Sequence, residues 1–260
     1  MIYPLLFIFG LLVGSFLNVV ICRLPEKKSI VKGRSCCPSC QERIKFYDLI
    51  PIVSFFILKR KCRKCKKPIS WQYPLVELFT GLIFVFLAYH YQIVANFSNP
   101  LFFRDLVFAC ALIVIFTTDL RFFMILDAVV IPMTVFALLV NIFILSNSIN
   151  FISVIISLVV AGIVAGGFFW LQYFISKGKW IGRGDINLGF LMGFMLGWPN
   201  ILFALILGYF LGAIVSSILL LFKLKKMDSP MPFGVFLTVA TGVALLYGNQ
   251  IIGWYLGLLK

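Results

Sequence analysis

Long apolar runs separated by short polar connections account for most of the chain. They fall at about residues 1–21, 74–94, 102–119, 128–146, 151–175, 186–198, 201–222 and 233–258. Most approach the ~20 residues that a helix rising about 1.5 Å per residue needs to cross ~30 Å of hydrocarbon. The pattern therefore predicts an all-α polytopic membrane protein with about eight transmembrane helices. One interval breaks it: residues 22–73 are polar and rich in Lys, Arg and Cys, and predict a small soluble insert. The expected organisation is a first transmembrane helix over 1–21, the insert over 22–73, and a seven-helix membrane domain over 74–260. Glycines recur at four-residue spacing within the runs, at Gly10 and Gly14, Gly162 and Gly166, Gly189, Gly193 and Gly197, and Gly208 and Gly212. On a helix this spacing forms a small-residue stripe that lets backbones approach closely, so these spans should pack against one another.

Composition supports the membrane assignment. Hydrophobic residues make up 62% of the 260 and charged residues 12%, against roughly 45–50% and 25% in soluble domains. A water-soluble globule and a disordered chain are both excluded. The formal charge of +14 points to anionic lipid on the cytoplasmic face, with no nucleic-acid partner. Of the 23 Lys and Arg residues, 14 lie between Arg23 and Lys67. If that insert is cytoplasmic, parity also places Arg121, Lys177, Lys179, Arg183, Lys223, Lys225 and Lys226 inside, leaving only Arg104 and Lys260 outside. The positive-inside rule selects this orientation, with both termini external. No Lys or Arg precedes the first span and no small-residue cleavage site follows it, so the reading includes no cleaved signal peptide.

The insert holds two C-x2-C knuckles, Cys37-Pro38-Ser39-Cys40 and Cys62-Arg63-Lys64-Cys65, with 21 residues between them. That spacing suits a four-thiolate tetrahedral zinc site of the ribbon type. Basic surroundings favour the thiolate form. Paired disulfides or free thiols are the alternative, and a reducing compartment disfavours the first. Four cysteines leave no open coordination position, so the zinc is expected to be structural.

Acidic residues within membrane spans are costly and by default functional. Asp119 lies at the end of the third span, and Asp185 opens the sixth in Gly182-Arg183-Gly184-Asp185. Two intervening crossings return the chain to the same side, so both carboxylates are expected at the cytoplasmic end of their spans. The sixth run is short, about 20 Å as helix against ~30 Å of hydrocarbon. Asp185 also shares a face with the stripe of Gly189, Gly193 and Gly197, which should point it inward. Two inward carboxylates from close-packed helices make an aspartyl dyad, in which one activates water while the other protonates the carbonyl or leaving amine. Gly182 and Gly184 would supply unusual backbone conformations and room for an extended substrate strand. The plain alternative makes Asp119 and Asp185 counterions of Arg121 and Arg183. Asp127 is read as a helix start or a modulator of the dyad, Glu77 as a partner of an insert cation with a catalytic role as the alternative, Asn18 as an interhelical hydrogen-bonding group, and His90 as without a role.

The residues resemble a known family. Gly14-Ser15-Phe16-Leu17-Asn18-Val19-Val20, Arg23-Leu24-Pro25, the first knuckle, Tyr47-Asp48-Leu49-Ile50-Pro51, the second knuckle, Pro68-Ile69-Ser70, Tyr73-Pro74-Leu75-Val76-Glu77-Leu78 and Gly182-Arg183-Gly184-Asp185 occur in the order seen in bacterial type IV prepilin peptidases. The resemblance implies an integral aspartic protease that removes the short basic leader of type IV prepilins and pseudopilins, cutting after a glycine at the cytoplasmic face of the inner membrane. It makes Asp119 and Asp185 the catalytic pair, and Cys37, Cys40, Cys62 and Cys65 the zinc ligands. Members with the cysteine-rich insert usually also methylate the new N-terminus with S-adenosylmethionine. This chain departs from the family at Arg60, where glycine is frequent two positions before the third cysteine, and at Asn187, where lysine is common two positions after the second aspartate. The competing readings are a peptidase without methylation, and a transporter or channel whose two aspartates carry protons or cations.

Overall fold

Each apolar run folds as an α-helix, because in hydrocarbon only internal pairing satisfies every backbone N–H and C=O. The computed structural model describes residues 2–95, 98–146, 150–224 and 230–258. The helices are α1 (Ile2–Arg23), α2 (Val53–Ile57), α3 (Gln72–His90), α4 (Pro100–Phe122), α5 (Asp127–Leu145), α6 (Phe151–Ser176), α7 (Arg183–Leu196), α8 (Asn200–Leu221) and α9 (Phe233–Leu258), with a 3-10 turn at Phe46–Leu49. Seven of them are long and apolar enough to span a membrane. The eighth expected span is α7, whose 14 residues reach only about 21 Å. No strand occurs among the described residues. Lys225, Lys226 and Lys260, used in the orientation argument, lie outside those residues.

The chain divides into two compact units, Met1–Val114 and Ile115–Lys260. In the first, α1 packs directly on α3. A Cβ on Gly10 would stand 2.7 Å from the Gly81 Cα, and one on Gly14 2.7 Å from the Glu77 Cα, so both glycines are needed for the approach. Asn18 joins the same two helices: its Nδ2 donates to the Tyr73 carbonyl at 3.0 Å, and Gln72 Nε2 donates to its Oδ1 at 3.3 Å. Farther along, Asp105 is fully buried; it accepts from the Tyr91 hydroxyl and from Arg104 Nε at 2.7 Å.

In the second unit the glycine stripes again mark the contacts. Gly193 of α7 meets the Gly162 backbone of α6, where an added Cβ would be 2.5 Å away, and Gly189 meets Phe169 and Ala165. Gly208 of α8 faces Leu237 of α9. Gly197 has a different task, ending α7 at φ +67 with its N–H donated to the Gly193 carbonyl at 2.8 Å. Asn141 of α5 donates Nδ2 to the Phe194 carbonyl of α7 at 2.6 Å.

Candidate functional site

Asp119 lies in the last turns of α4 and is 5% exposed. Its Oδ2 accepts the Val235 N–H at 3.1 Å. Gly234 and Val235 are the second and third residues of α9, so their amides have no intrahelical acceptor and need an outside partner. The positive end of the α9 dipole adds to this and favours a carboxylate there. Gly234 also clears the space: a Cβ on it would lie 2.9 Å from Asp119 Oδ2.

Asp185, 8% exposed, is the third residue of α7 and closes its own helix start. Its Oδ2 accepts the Gly182 N–H at 2.9 Å, while its own N–H donates to the Gly182 carbonyl at 3.2 Å. Both acids are therefore buried, each beside the amide end of a helix. Asp119 is within electrostatic reach of Asp185. Ile125, between α4 and α5, touches the glycine beside each: a Cβ on Gly184 would be 2.8 Å from Ile125 Cβ, and one on Gly234 3.1 Å from Ile125 Cδ1.

Gly182 and Gly184 lie here as expected but do not use special backbone freedom. Gly182 is extended at φ −82, ψ 165, and Gly184 is absent from the positive-φ residues of the chain. What Gly184 contributes is the absence of a side chain against Ile125. Nor are the two carboxylates counterions of the neighbouring arginines: Arg183 Nε donates to the Tyr173 hydroxyl at 3.2 Å, and Arg121 lies over the Phe122 ring at 4.9 Å. Asp127 begins α5 and accepts from Asn187 Nδ2 at 2.8 Å. Aromatic rings gather near Asp185, where Tyr209 lies 4.9 Å from Phe233 and donates its hydroxyl to Gln172 Oε1 at 2.8 Å.

The four knuckle cysteines converge in the first unit. Their sulfurs all lie within 4.8 Å of one another, with Cys37 to Cys65 at 3.8 Å and Cys40 to Cys62 at 4.0 Å. These separations exceed the ~2.05 Å of a disulfide and match the ~3.8 Å edge of a tetrahedron with ~2.3 Å metal–sulfur bonds. The donor set therefore fits zinc. Two matching half-sites build it. Gln41 N–H bonds to the Cys37 carbonyl at 2.9 Å and Lys66 N–H to the Cys62 carbonyl at 3.0 Å. Gln41 and Lys66 both adopt positive φ, 56 and 59, and the bridges Cys36 to Arg43 and Lys61 to Pro68 occupy equivalent positions. The backbone amides of Cys65 and Lys64 pull the Cys62 thiol down to about 6. At Cys40 the Glu42 amide acts in the same sense, but desolvation and the three other sulfurs outweigh it and hold the thiol up to about 11. Arg63 grips Asp48 in two bonds, of 2.6 and 3.0 Å, and Lys64 pairs with Glu42, so each acid of the first half holds a cation of the second.

Glu77 departs from expectation. It is buried and accepts the Ile52 N–H at 2.8 Å, so it holds the insert by a backbone amide rather than by a lysine or arginine. His90, in the last turn of α3, packs against Phe86 and Tyr91. Sequence reasoning passed over Gly234, Val235 and Ile125. The only signal was a glycine following Pro232-Phe233 at the start of an apolar run, which marks a helix start but not its partner. It also passed over Asp105 and the ion pair that its partner Arg104, 9% exposed, makes with it.

The chain matches the family model for the bacterial peptidase A24 N-terminal domain over residues 8–91, and that of the type IV leader peptidase family over residues 106–217. It is 31% identical to a prepilin leader peptidase/N-methyltransferase of Aeromonas hydrophila, over 98% of this chain and 93% of that protein. It is 31% identical to a protein of the same name from Pseudomonas aeruginosa, over 98% and 95%. A third, from Bacillus subtilis, is 33% identical over 97% of both chains. No solved structure matches.

Proposed function

Because the chain belongs to the type IV leader peptidase family, we propose that it is the enzyme that removes the leader of type IV prepilins or pseudopilins and then methylates the new N-terminus with S-adenosylmethionine. The observation that carries the peptidase half is the pair Asp119 and Asp185, both buried and each hydrogen-bonded at a helix start. One carboxylate takes a proton from the attacking water while the other, protonated, gives its proton to the carbonyl oxygen; as the tetrahedral diol collapses, the first passes the water's proton to the leaving amine and the second recovers a proton from a diol hydroxyl. The α7 and α9 amides keep both acids oriented, and among the described residues no lysine or arginine forms an ion pair with either. Gly182, Gly184 and Gly234 keep side chains out of the space around them.

Supporting the methylation half is the double name that the relatives carry. Cys37, Cys40, Cys62 and Cys65 would hold a zinc ion that ties the insert together. In this reading the insert and the dyad face the cytoplasm of a bacterial inner membrane and both termini are external, because 21 of the 23 Lys and Arg residues then lie inside.

The test uses purified full-length protein in detergent with a synthetic prepilin, with and without methyl donor, read by mass. Cleavage of the leader is expected in both arms and one methyl increment only with the donor. Asp119→Asn and Asp185→Asn should each abolish cleavage while the protein still inserts. Normal processing by either variant overturns the peptidase assignment, and an unmethylated product overturns the second activity alone.

A further inference from the structure

The cysteine-rich insert carries an exposed apolar surface. Besides Tyr47, the 3-10 turn Phe46–Leu49, α2 and the residues joining them expose six wholly apolar side chains: Phe46, Leu49, Ile50, Val53, Phe56 and Ile57. Phe46 is 84% and Ile57 69% exposed. Exposed apolar side chains gathered on one short segment of a polar insert mark an interaction surface. Exposed cations flank it, Lys45 on one side and Lys59, Arg60 and Lys61 on the other. Of the two acids beside it, Asp48 is taken up by Arg63 at 2.6 Å and Glu77 is buried on the Ile52 amide.

Two contacts set its depth. Ile52 N–H donates to Glu77 Oε2 at 2.8 Å, and the Phe55 ring packs 5.0 Å from Trp71. α3 begins at Gln72, so Glu77 lies five residues, or about 8 Å, along the spanning helix. Interfacial amphipathic elements sink about 5–10 Å into the boundary between headgroups and acyl chains. We propose that this patch is an interfacial anchor: the six apolar side chains enter the acyl edge of an anionic leaflet while the flanking lysines and arginine meet lipid phosphates. Attachment and charge select the lipid surface over a protein partner, since the patch is tied to the first turns of a helix able to span a membrane and its exposed flanking charges are lysines and an arginine. The inference stands apart from the peptidase reading.

The experiment places Phe56→Trp in the full-length protein, reconstituted in phosphatidylcholine–phosphatidylglycerol vesicles with and without acyl-chain bromine. The emission added over that of the five native tryptophans is the signal. It should be blue-shifted and lose about half or more of its intensity to brominated chains, as expected for a side chain at that depth. Val31→Trp, at an 86% exposed position outside the patch, should add red-shifted emission that bromine leaves unchanged. Zinc content checks that the insert is folded, and Ile57→Trp repeats the measurement should Phe56→Trp fail that check. Added emission at both positions that is red and unquenched puts the patch in water. Blue but unquenched emission puts it under protein, such as a second copy. Either result overturns the proposal.

Discussion

Gly234 lacks a side chain where Asp119 needs the room. A methyl group there would stand 2.9 Å from the carboxylate oxygen that the neighbouring amide holds. Gly234→Ala must therefore shift the acid or the α9 start and weaken the Val235 N–H bond. A hydrogen bond to a charged group contributes about 1.5–3 kcal/mol, so the turnover rate should fall about ten- to a hundredfold. KM should stay near its wild-type value, because the residue orients the acid and does not bind substrate. Steady-state kinetics on a synthetic prepilin read the two separately, and unchanged kcat would refute the positioning role. At this scale the burial of Asp119 and Asp185 and the convergence of the knuckle cysteines were legible, because chemistry and position coincide in one residue, whereas Asp105, buried in an ion pair within the same run as Asp119, was missed. It was silent on Val235 and Ile52, which act through backbone amides. Any residue but proline supplies such a group, so its importance depends on which distant acid the fold brings to it.

Among the elements, close helix pairs depend on glycine more than on polar glue. Gly193 lies against the Gly162 backbone, where even a Cβ would be 2.5 Å away. Gly193→Leu must pry α6 from α7, and overpacking of this kind costs about 1–3 kcal/mol. Because α7 carries Asp185, the expected outcome is a lower thermal midpoint in detergent together with lost cleavage. The same change at Gly242, which has no neighbour within 4 Å of its Cβ position, should alter neither. Apolar runs and four-residue glycine spacing made these elements and several of their contacts readable in advance, since both follow from helix geometry and the hydrocarbon solvent. The match between the two cysteine half-sites was harder to see. It resides in backbone conformation, positive φ at Gln41 and Lys66, while the residues around the cysteines differ.

Across the molecule, the two activities proposed for the chain draw on different units: the four sulfurs belong to Met1–Val114 and both carboxylates to Ile115–Lys260. Stripping the metal with a chelator should therefore unfold the insert and reduce methylation more than cleavage, with product mass as the readout. Equal loss of both would show that the metal supports the entire fold. Protons compete with metal for thiolates, so stripping should become easier as pH falls. A metal-sensitive indicator at several pH values measures this, and release independent of pH would refute it.

The close seating of α1 on α3 has a further consequence for that site. Gly10 and Gly14 bring the two helices together within the bilayer, and the insert leaves one at Arg23 and rejoins the other at Gln72. Its ends are thus clasped before any ion arrives, and much of the entropy of closing so long a loop is already spent. A free peptide of the same residues would have to gather its own ends. It should hold the ion more loosely than the intact chain, in which hydrocarbon packing serves as the hinge pin of a site that lies in water.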